Sequence, residues 1–438
     1  MKRQTSLLSL ILLCCCLSAC SLLPDWMGDS EAPPLPGDRI SLTAARAAIM
    51  ADEALADQPI TLPQMPTNAS WPQALGNATG VSGNLKLSST PAIRYTLSPG
   101  DGTAFEAGLI PHPIIGGNKI FAMDGAGIIS AYDAENPDRE LWSSDLLHHD
   151  EDSSAQIGGG LAWARNRLFA TGAEGRFVAL DSDTGALLWK KSLKLPLRTP
   201  PRVSGDKIFL LTADNRLLAL HQSDGSPLWS HQGIHDITVT LHAAVPAIRN
   251  RIVLVIYSTG EIMALDQESG QSLWSDQLHV STRSDTLQTQ SHVSPVMAQG
   301  LSFLSGSERI AAYETTSGRR VWEREVPVKQ APWLAGNSLF LQTTQQQIVA
   351  MRGTDGGIHW TTMLAEEEDG RPIHWHGPVI AGDILWMAGS HGALLGINPQ
   401  TGEIAQKIRI PSGVMTRPVI ANSRMHLLTQ DAEVIILE

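Results

Sequence analysis

From about residue 91 onward, short apolar runs alternate with polar turns, and the alternation has a long period. One unit runs from Pro200 to Leu220 (PPRVSGDKIFLLTADNRLLAL): a small, Pro-containing start, an apolar run, a polar turn and a second alternating run. The same preamble recurs at 377–397 (GPVIAGDILWMAGSHGALLGI) and 417–437 (RPVIANSRMHLLTQDAEVIIL). Runs such as Lys207-Ile208-Phe209-Leu210-Leu211 are short, β-rich and bounded by Gly, Asp or Asn, so they read as strands. Each preamble leads into a small–apolar–polar segment, a turn, and then Trp: AYDAENPDRELW (131–142), ALDSDTGALLW (179–189), ALHQSDGSPLW (219–229), ALDQESGQSLW (264–274), AYETTSGRRVW (312–322), AMRGTDGGIHW (350–360) and, with Gln in place of Trp, GINPQTGEIAQ (396–406). Successive anchors lie 47, 40, 45, 48, 38 and 46 residues apart, the last step ending on Gln406.

Four strands in a unit of that length are one propeller blade. Seven segments and the last preamble make eight. The expected fold is therefore all-β, an eight-bladed propeller of four-stranded antiparallel blades over residues 91–438. Glu438 directly follows the third strand of the eighth unit. Its fourth strand is expected from Ile93-Arg94-Tyr95-Thr96-Leu97, which would close the ring without a loose edge. The anchors Trp142, Trp189, Trp229, Trp274, Trp322 and Trp360 are expected to pack against neighbouring blades, and Gly185, Gly225, Gly270, Gly318, Gly356 and Gly402 to take positive φ in the turns. With Gln406 at its anchor position, the seventh unit should form the weakest junction.

Composition agrees with a repeat. Twelve Trp stand against seven Phe and four Tyr, with 38 Gly and 26 Pro. The formal net charge of -12 and the lack of a basic stripe argue against nucleic acid as a partner. All four cysteines, Cys14, Cys15, Cys16 and Cys20, precede residue 21, so the repeat has no disulfide, cysteine-ligated zinc or thiol nucleophile.

The first ninety residues differ. Lys2 and Arg3 precede an apolar stretch, Leu7 to Cys16, too short to span a membrane. Leu17-Ser18-Ala19-Cys20 follows and resembles a bacterial lipoprotein signal, which implies cleavage of residues 1–19 and acylation of Cys20. Ser21, rather than Asp, at the next position favours the outer membrane, with Cys20 anchoring the chain in its lipid on the periplasmic face. An ordinary signal peptide ending near Ala19 is the alternative. Residues 20–90 read as a lipidated tether, with a stiff Pro-rich stretch at 32–37, a short helix over 41–57 ended by Pro59, and Trp71 able to dock on a surface.

The pattern A-L-D-x-x-T-G-x-x-x-W at Ala179–Trp189 resembles the pyrroloquinoline-quinone type of propeller repeat. Quinoprotein alcohol dehydrogenases use it, and so does the BamB family of outer-membrane assembly factors, lipoproteins of the β-barrel assembly machinery. The lipoprotein signal, the single propeller and the length resemble the second, and PPLPGDRI (33–40) and NASWPQALGN (68–77) are similar to segments preceding the propeller in its alphaproteobacterial members. That resemblance implies a non-enzymatic scaffold without a cofactor, binding the barrel-forming subunit and assisting unfolded outer-membrane proteins. The dehydrogenases carry an adjacent cysteine pair under the quinone and large insertions; this propeller has no cysteine. Two alternatives stay open: a periplasmic binding propeller for another envelope complex, and a quinone-dependent dehydrogenase.

Loops leaving each anchor for the next blade gather on one face, and the long ones (143–156, 190–201, 230–245, 275–294 and 361–377) are the natural binding surface. The family's contact involves Leu-x-Leu-Arg in the fourth such loop and Asp-x-Asp in the fifth. Here the 230–245 loop offers Ile237, Val239 and Leu241 without the Arg, and the 275–294 loop Asp285 and Leu287 without the Asp pair. Those five residues are the expected contact. His374-Trp375-His376 places two histidines at metal-binding spacing with no third ligand in view, so the expectation is no metal. The acidic runs at 148–152 and 366–369 read as solvated loops, and Gly158-Gly159-Gly160 lacks the Lys-Ser/Thr of a phosphate loop.

Overall fold

A run such as Ile208–Leu211 is apolar at every position, which suits a strand covered on both faces. In a computed structural model these runs are the second strands of a ring of sheets, each covered by the blades on either side. The structure describes residues 49–438 apart from 56–57, 101–110, 125–126, 146–158, 173–174, 198, 235–243, 279–292 and 307. Eight four-stranded antiparallel sheets form the blades, at 114–144, 160–192, 202–232, 247–277, 293–324, 333–363, 375–409 and 419–437, the last joined by 93–97. Blade 3 is representative, with Arg202–Ser204 innermost, then Lys207–Leu211, Arg216–His221 and, outermost, Pro227–Gln232. Lys207–Leu211, Ile252–Ile256 and Ser338–Gln342 are buried throughout, whereas the outer strands alternate with solvent.

Closure occurs where expected. Ile93–Leu97 pairs antiparallel with Val434–Leu437, matching Tyr95 to Ile436 and Leu97 to Val434. Ala92 and Glu438 exchange backbone hydrogen bonds of 2.8 and 3.0 Å. The first and last strands thus share blade 8, and breaking this pairing would open the ring.

Residues 58–92, read from sequence as tether, belong to this same unit and bind along the axis. An innermost strand leaves one row of backbone groups unpaired, and these need partners. The segment Asn68–Leu85 supplies them blade by blade. Asn68 O accepts from Asn422 N in blade 8 (2.7 Å), Trp71 and Ile115 exchange bonds in blade 1 (2.8 and 2.9 Å), and Pro72 O accepts from Trp163 N in blade 2 (2.7 Å). Gln73 Oε1 takes Val203 N in blade 3 (2.8 Å). Ala78 O takes Ile248 N in blade 4 (2.7 Å) and Thr79 O takes Met297 N in blade 5 (3.0 Å). Gly83 O takes Trp333 Nε1 in blade 6 (2.7 Å) and Leu85 N donates to Ile380 O in blade 7 (3.1 Å). Trp71 is buried and stacks on Trp333, with ring centroids 6.2 Å apart. Buried Arg202 staples the segment by donating to the carbonyls of Ala74 and Asn77 (both 2.7 Å). Of the expected 41–57 helix the described part holds one 3-10 turn, Glu53–Leu55.

These contacts fall where each innermost strand turns into the second. The opposite ends of those strands receive the blade-to-blade loops, so one mouth of the ring carries the strap and the other carries the loops.

Candidate functional site: the loop face

A binding face built from loops needs a rigid frame, and the anchors provide one. Each of the six Trp pairs across its sheet with Ala and is preceded in the outer strand by a register shift, which re-aims that strand. Its indole then seats on the turn of the next blade. Trp142 Nε1 donates to Ser182 O (3.2 Å), Trp189 to Gln222 O (3.2 Å), Trp229 to Gln267 O (3.0 Å), Trp274 to Thr315 O (2.9 Å), Trp322 to Gly353 O (2.8 Å) and Trp360 to Pro399 O (2.9 Å). The ring lies on the turn glycine; a Cβ at Gly270 would stand 2.6 Å from Trp229 Cδ2. All six turn glycines have φ between 67° and 78°. The Asp of the motif sets the turn: Asp181 Oδ1 accepts from Asp183 N and Thr184 N (both 3.0 Å).

An eighth anchor escaped the sequence reading. Tyr95 pairs with Ile436 at the place where Trp pairs with Ala in other blades. A phenol cannot place an N–H where an indole does. Arg424 lies over the Tyr95 ring (5.4 Å) and donates to Ala134 O, the carbonyl equivalent to those the indoles reach. Gln406, at the seventh position, donates to Ser89 O (3.1 Å) in the segment that enters blade 8. The signal for Tyr95 was its register in the predicted closing strand.

The loop stems share one construction. The residue after an outer strand bonds back to the turn between the second and third strands: Leu193 N to Gly175 O, Gly233 N to Asn215 O, Leu278 N to Gly260 O and Leu364 N to Gln346 O, each 2.9 Å. Three connections, the 190–201 loop among them, are then pinned to the corresponding turn of the next blade through Leu197–Thr212, Val328–Thr343 and Val414–Thr429 bridges. The expected contact residues Ile237, Val239, Leu241, Asp285 and Leu287 lie outside the described residues, as does Cys20. Their stems are described and adjacent. The two loops leave blades 3 and 4 and return into blades 4 and 5, where Val245 N donates to Ser294 Oγ (2.9 Å) and ties the return stems together. Ile234, at the departing stem, is 57% exposed although its N–H is held by Glu261 Oε2 (2.9 Å) and its carbonyl by Asn215 Nδ2 (2.9 Å). It offers a fixed apolar contact that sequence reasoning missed, because nothing in the pattern marks one exposed Ile.

Other candidates resolve into structure. His374 is exposed and precedes the strand Trp375–Ala381, while His376 lies within it. Among the described residues no group of three His, Cys, Asp or Glu is placed to hold a metal. Glu367–Glu368 pairs with Arg371–Pro372 in an exposed hairpin. The 148–152 run lies outside the described residues.

The family model for outer membrane protein assembly factor BamB matches residues 125–362. An Escherichia coli outer membrane protein assembly factor BamB is 26% identical over 364 residues, covering 79% of this chain and 88% of that protein. A Rickettsia prowazekii protein described as uncharacterized is 27% identical over 271 residues, 60% of this chain and 65% of its own length, just under two thirds. Among solved structures, BamB from Moraxella catarrhalis superposes with a TM-score of 0.66 at 18% identity, covering 80% of this chain and all of that one; at this identity the likeness shows the fold.

Proposed function

The chain belongs to the outer membrane protein assembly factor BamB family, and from that premise we propose that it is a non-enzymatic scaffold of the β-barrel assembly machinery. In this reading the loop face holds the barrel-forming subunit, and Cys20 anchors the chain in outer-membrane lipid on the periplasmic side. The bound machinery then assists the folding and insertion of unfolded outer-membrane proteins. The carrying observation is the pair of long loops rooted at adjacent blade junctions and joined by Val245 and Ser294. Rigid stems supporting irregular loops are what a protein-binding face requires. The strap supports the choice of face, because the opposite mouth is already filled by residues of this chain.

Recognition would then be mostly apolar, through Ile234, Ile237, Val239 and Leu241, with Asp285 and Leu287 from the neighbouring loop. Burying one such side chain at an interface contributes about 1.5–3 kcal/mol. Val239→Glu with Leu241→Glu would bury charge against apolar surface. Co-purification with the barrel-forming subunit is expected to fall by at least about tenfold while the thermal midpoint stays put. Undiminished co-purification would show that this loop is not the contact.

A further inference from the structure

At the loop-side mouth of the axis, basic groups converge from four blades. The innermost strands of blades 1, 6 and 8 begin directly after Pro113, Pro332 and Pro418, and that of blade 7, Trp375–Ala381, contains Pro378. Just before these prolines lie His112 in blade 1, Lys329 and Gln330 in blade 6, His376 in blade 7 and Arg417 in blade 8. Contacts bring them together. Arg417 Nη2 donates to Ala331 O and to Gly377 O (3.2 Å), spanning blades 6 and 7. Gln330 Nε2 donates to Trp375 O (2.9 Å), and Gly377 N donates to Gln330 Oε1 (3.4 Å).

The cluster is one-signed. Arg417 is 6% exposed, and among the described residues it has no carboxylate partner, only those two carbonyls. The Lys329 ammonium, His112 and His376 make no side-chain hydrogen bond or ion pair among the described residues. Burial, then the Arg417 charge, pushes His112 down to about 4. Burial, then Lys329, His112, His374 and Arg417, pushes His376 down to about 3. Among the described residues, every charge acting on either ring is basic. His231, His359 and His391, elsewhere in the ring, each have a carboxylate nearby. A buried guanidinium without a counter-charge is costly, and neighbouring cations add to the cost. An oxyanion between them would reverse both effects, since Arg, Lys and two imidazoles together supply charge-assisted donors.

We propose that the loop-side end of the ring, where blades 1, 6, 7 and 8 meet, is a binding site for a small oxyanion, held by Arg417, Lys329, His112 and His376. Phosphate and carboxylate share this chemistry. The site is separate from the loop contact and does not depend on it. Binding an anion favours protonated imidazoles, so affinity rises as pH falls and protons are taken up.

Calorimetric titration of the mature chain with inorganic phosphate, and separately with citrate, tests this at about pH 7.5 and about pH 6. Saturable one-to-one binding of at least one anion is expected, tighter at the lower pH, and whichever binds more tightly identifies the group preferred. Lys329→Gln and His376→Gln should each weaken it by about tenfold, and Lys190→Gln, on an exposed outer strand, should not. Arg417→Gln tests the central donor if it still melts cooperatively; the other two variants do not depend on it. No saturable binding of either anion by the folded wild-type chain overturns the proposal. So does an equal loss in all three variants, which is diffuse surface attraction.

Discussion

The seating of Trp229 on Gly270 gives the most direct test of what holds the ring together. Trp229→Ala removes an indole that packs on Phe209, with centroids 5.8 Å apart, and donates to Gln267 O at 3.0 Å. Large-to-small changes of this kind cost about 3–5 kcal/mol, and the partial exposure of this ring points to the lower end. Gly270→Ala acts on the other partner. Its φ of 72° strains an L-residue by about 1–2 kcal/mol, and its Cβ would lie 2.6 Å from both Cδ2 and Cε3 of the indole. The ring would have to withdraw by about 1 Å to reach ordinary contact, losing dispersion on its seat. With Ala at 229 that clash disappears and only the backbone strain remains. The double variant should therefore be more stable than the two single losses imply, by about 1 kcal/mol or more. Urea unfolding followed by far-ultraviolet circular dichroism measures all four proteins. If Gly270→Ala costs the same in both backgrounds to within about 0.5 kcal/mol, the indole does not rest on that glycine.

Junctions without Trp should open first. Hydrogen exchange should be faster along Ile404–Arg409, which carries Gln406, than along Ile358–Met363, and Arg424→Gln should speed exchange in Ile93–Leu97; protection unchanged by that substitution would show that Arg424 does not stand in for the missing indole. Trp71→Ala should destabilise the chain by about 3–5 kcal/mol and expose residues 58–92 to proteolysis; an unaltered cleavage pattern would mean the strap holds without its stacked ring. His426 is buried, with Nδ1 3.4 Å from Val419 O, and burial lowers its pKa to about 4. The unfolded chain binds that proton first, so the stability it contributes is present above about pH 6.5 and is lost as pH falls toward about 4, at up to about 1.4 kcal/mol per pH unit. His426→Gln should flatten that slope in urea midpoints taken across the range, and an unchanged slope would place the acid sensitivity elsewhere.

The fold was legible because its physics repeats. Two-sided burial makes the second strand of each blade largely apolar, and the turn that receives an indole takes Gly at positive φ, so similar residues recur blade after blade. Closure by Ile93–Leu97 followed from an incomplete final unit. The strap was not legible, because its bonds to the blades are mostly backbone to backbone and one residue per blade leaves no period; Trp71 alone hinted at docking. Tyr95 and Arg424 were missed because they reproduce the Trp contact with different atoms. The expected contact residues, such as Ile237 and Leu287, fall in stretches of sequence where no repeat ties residue type to position, while the exposed Ile234 is recognisable only once its backbone is seen to be pinned.

In the proposed role, the loop face binds the barrel-forming subunit of the assembly machinery. Affinity purification of the full chain from native membranes, with identification of the proteins that come with it, is the decisive experiment. The barrel-forming subunit should come with the wild-type chain in near-stoichiometric yield, and be lost when Val239 and Leu241 are replaced by Glu. Recovery of a different envelope complex in its place, with no barrel-forming subunit, would contradict it.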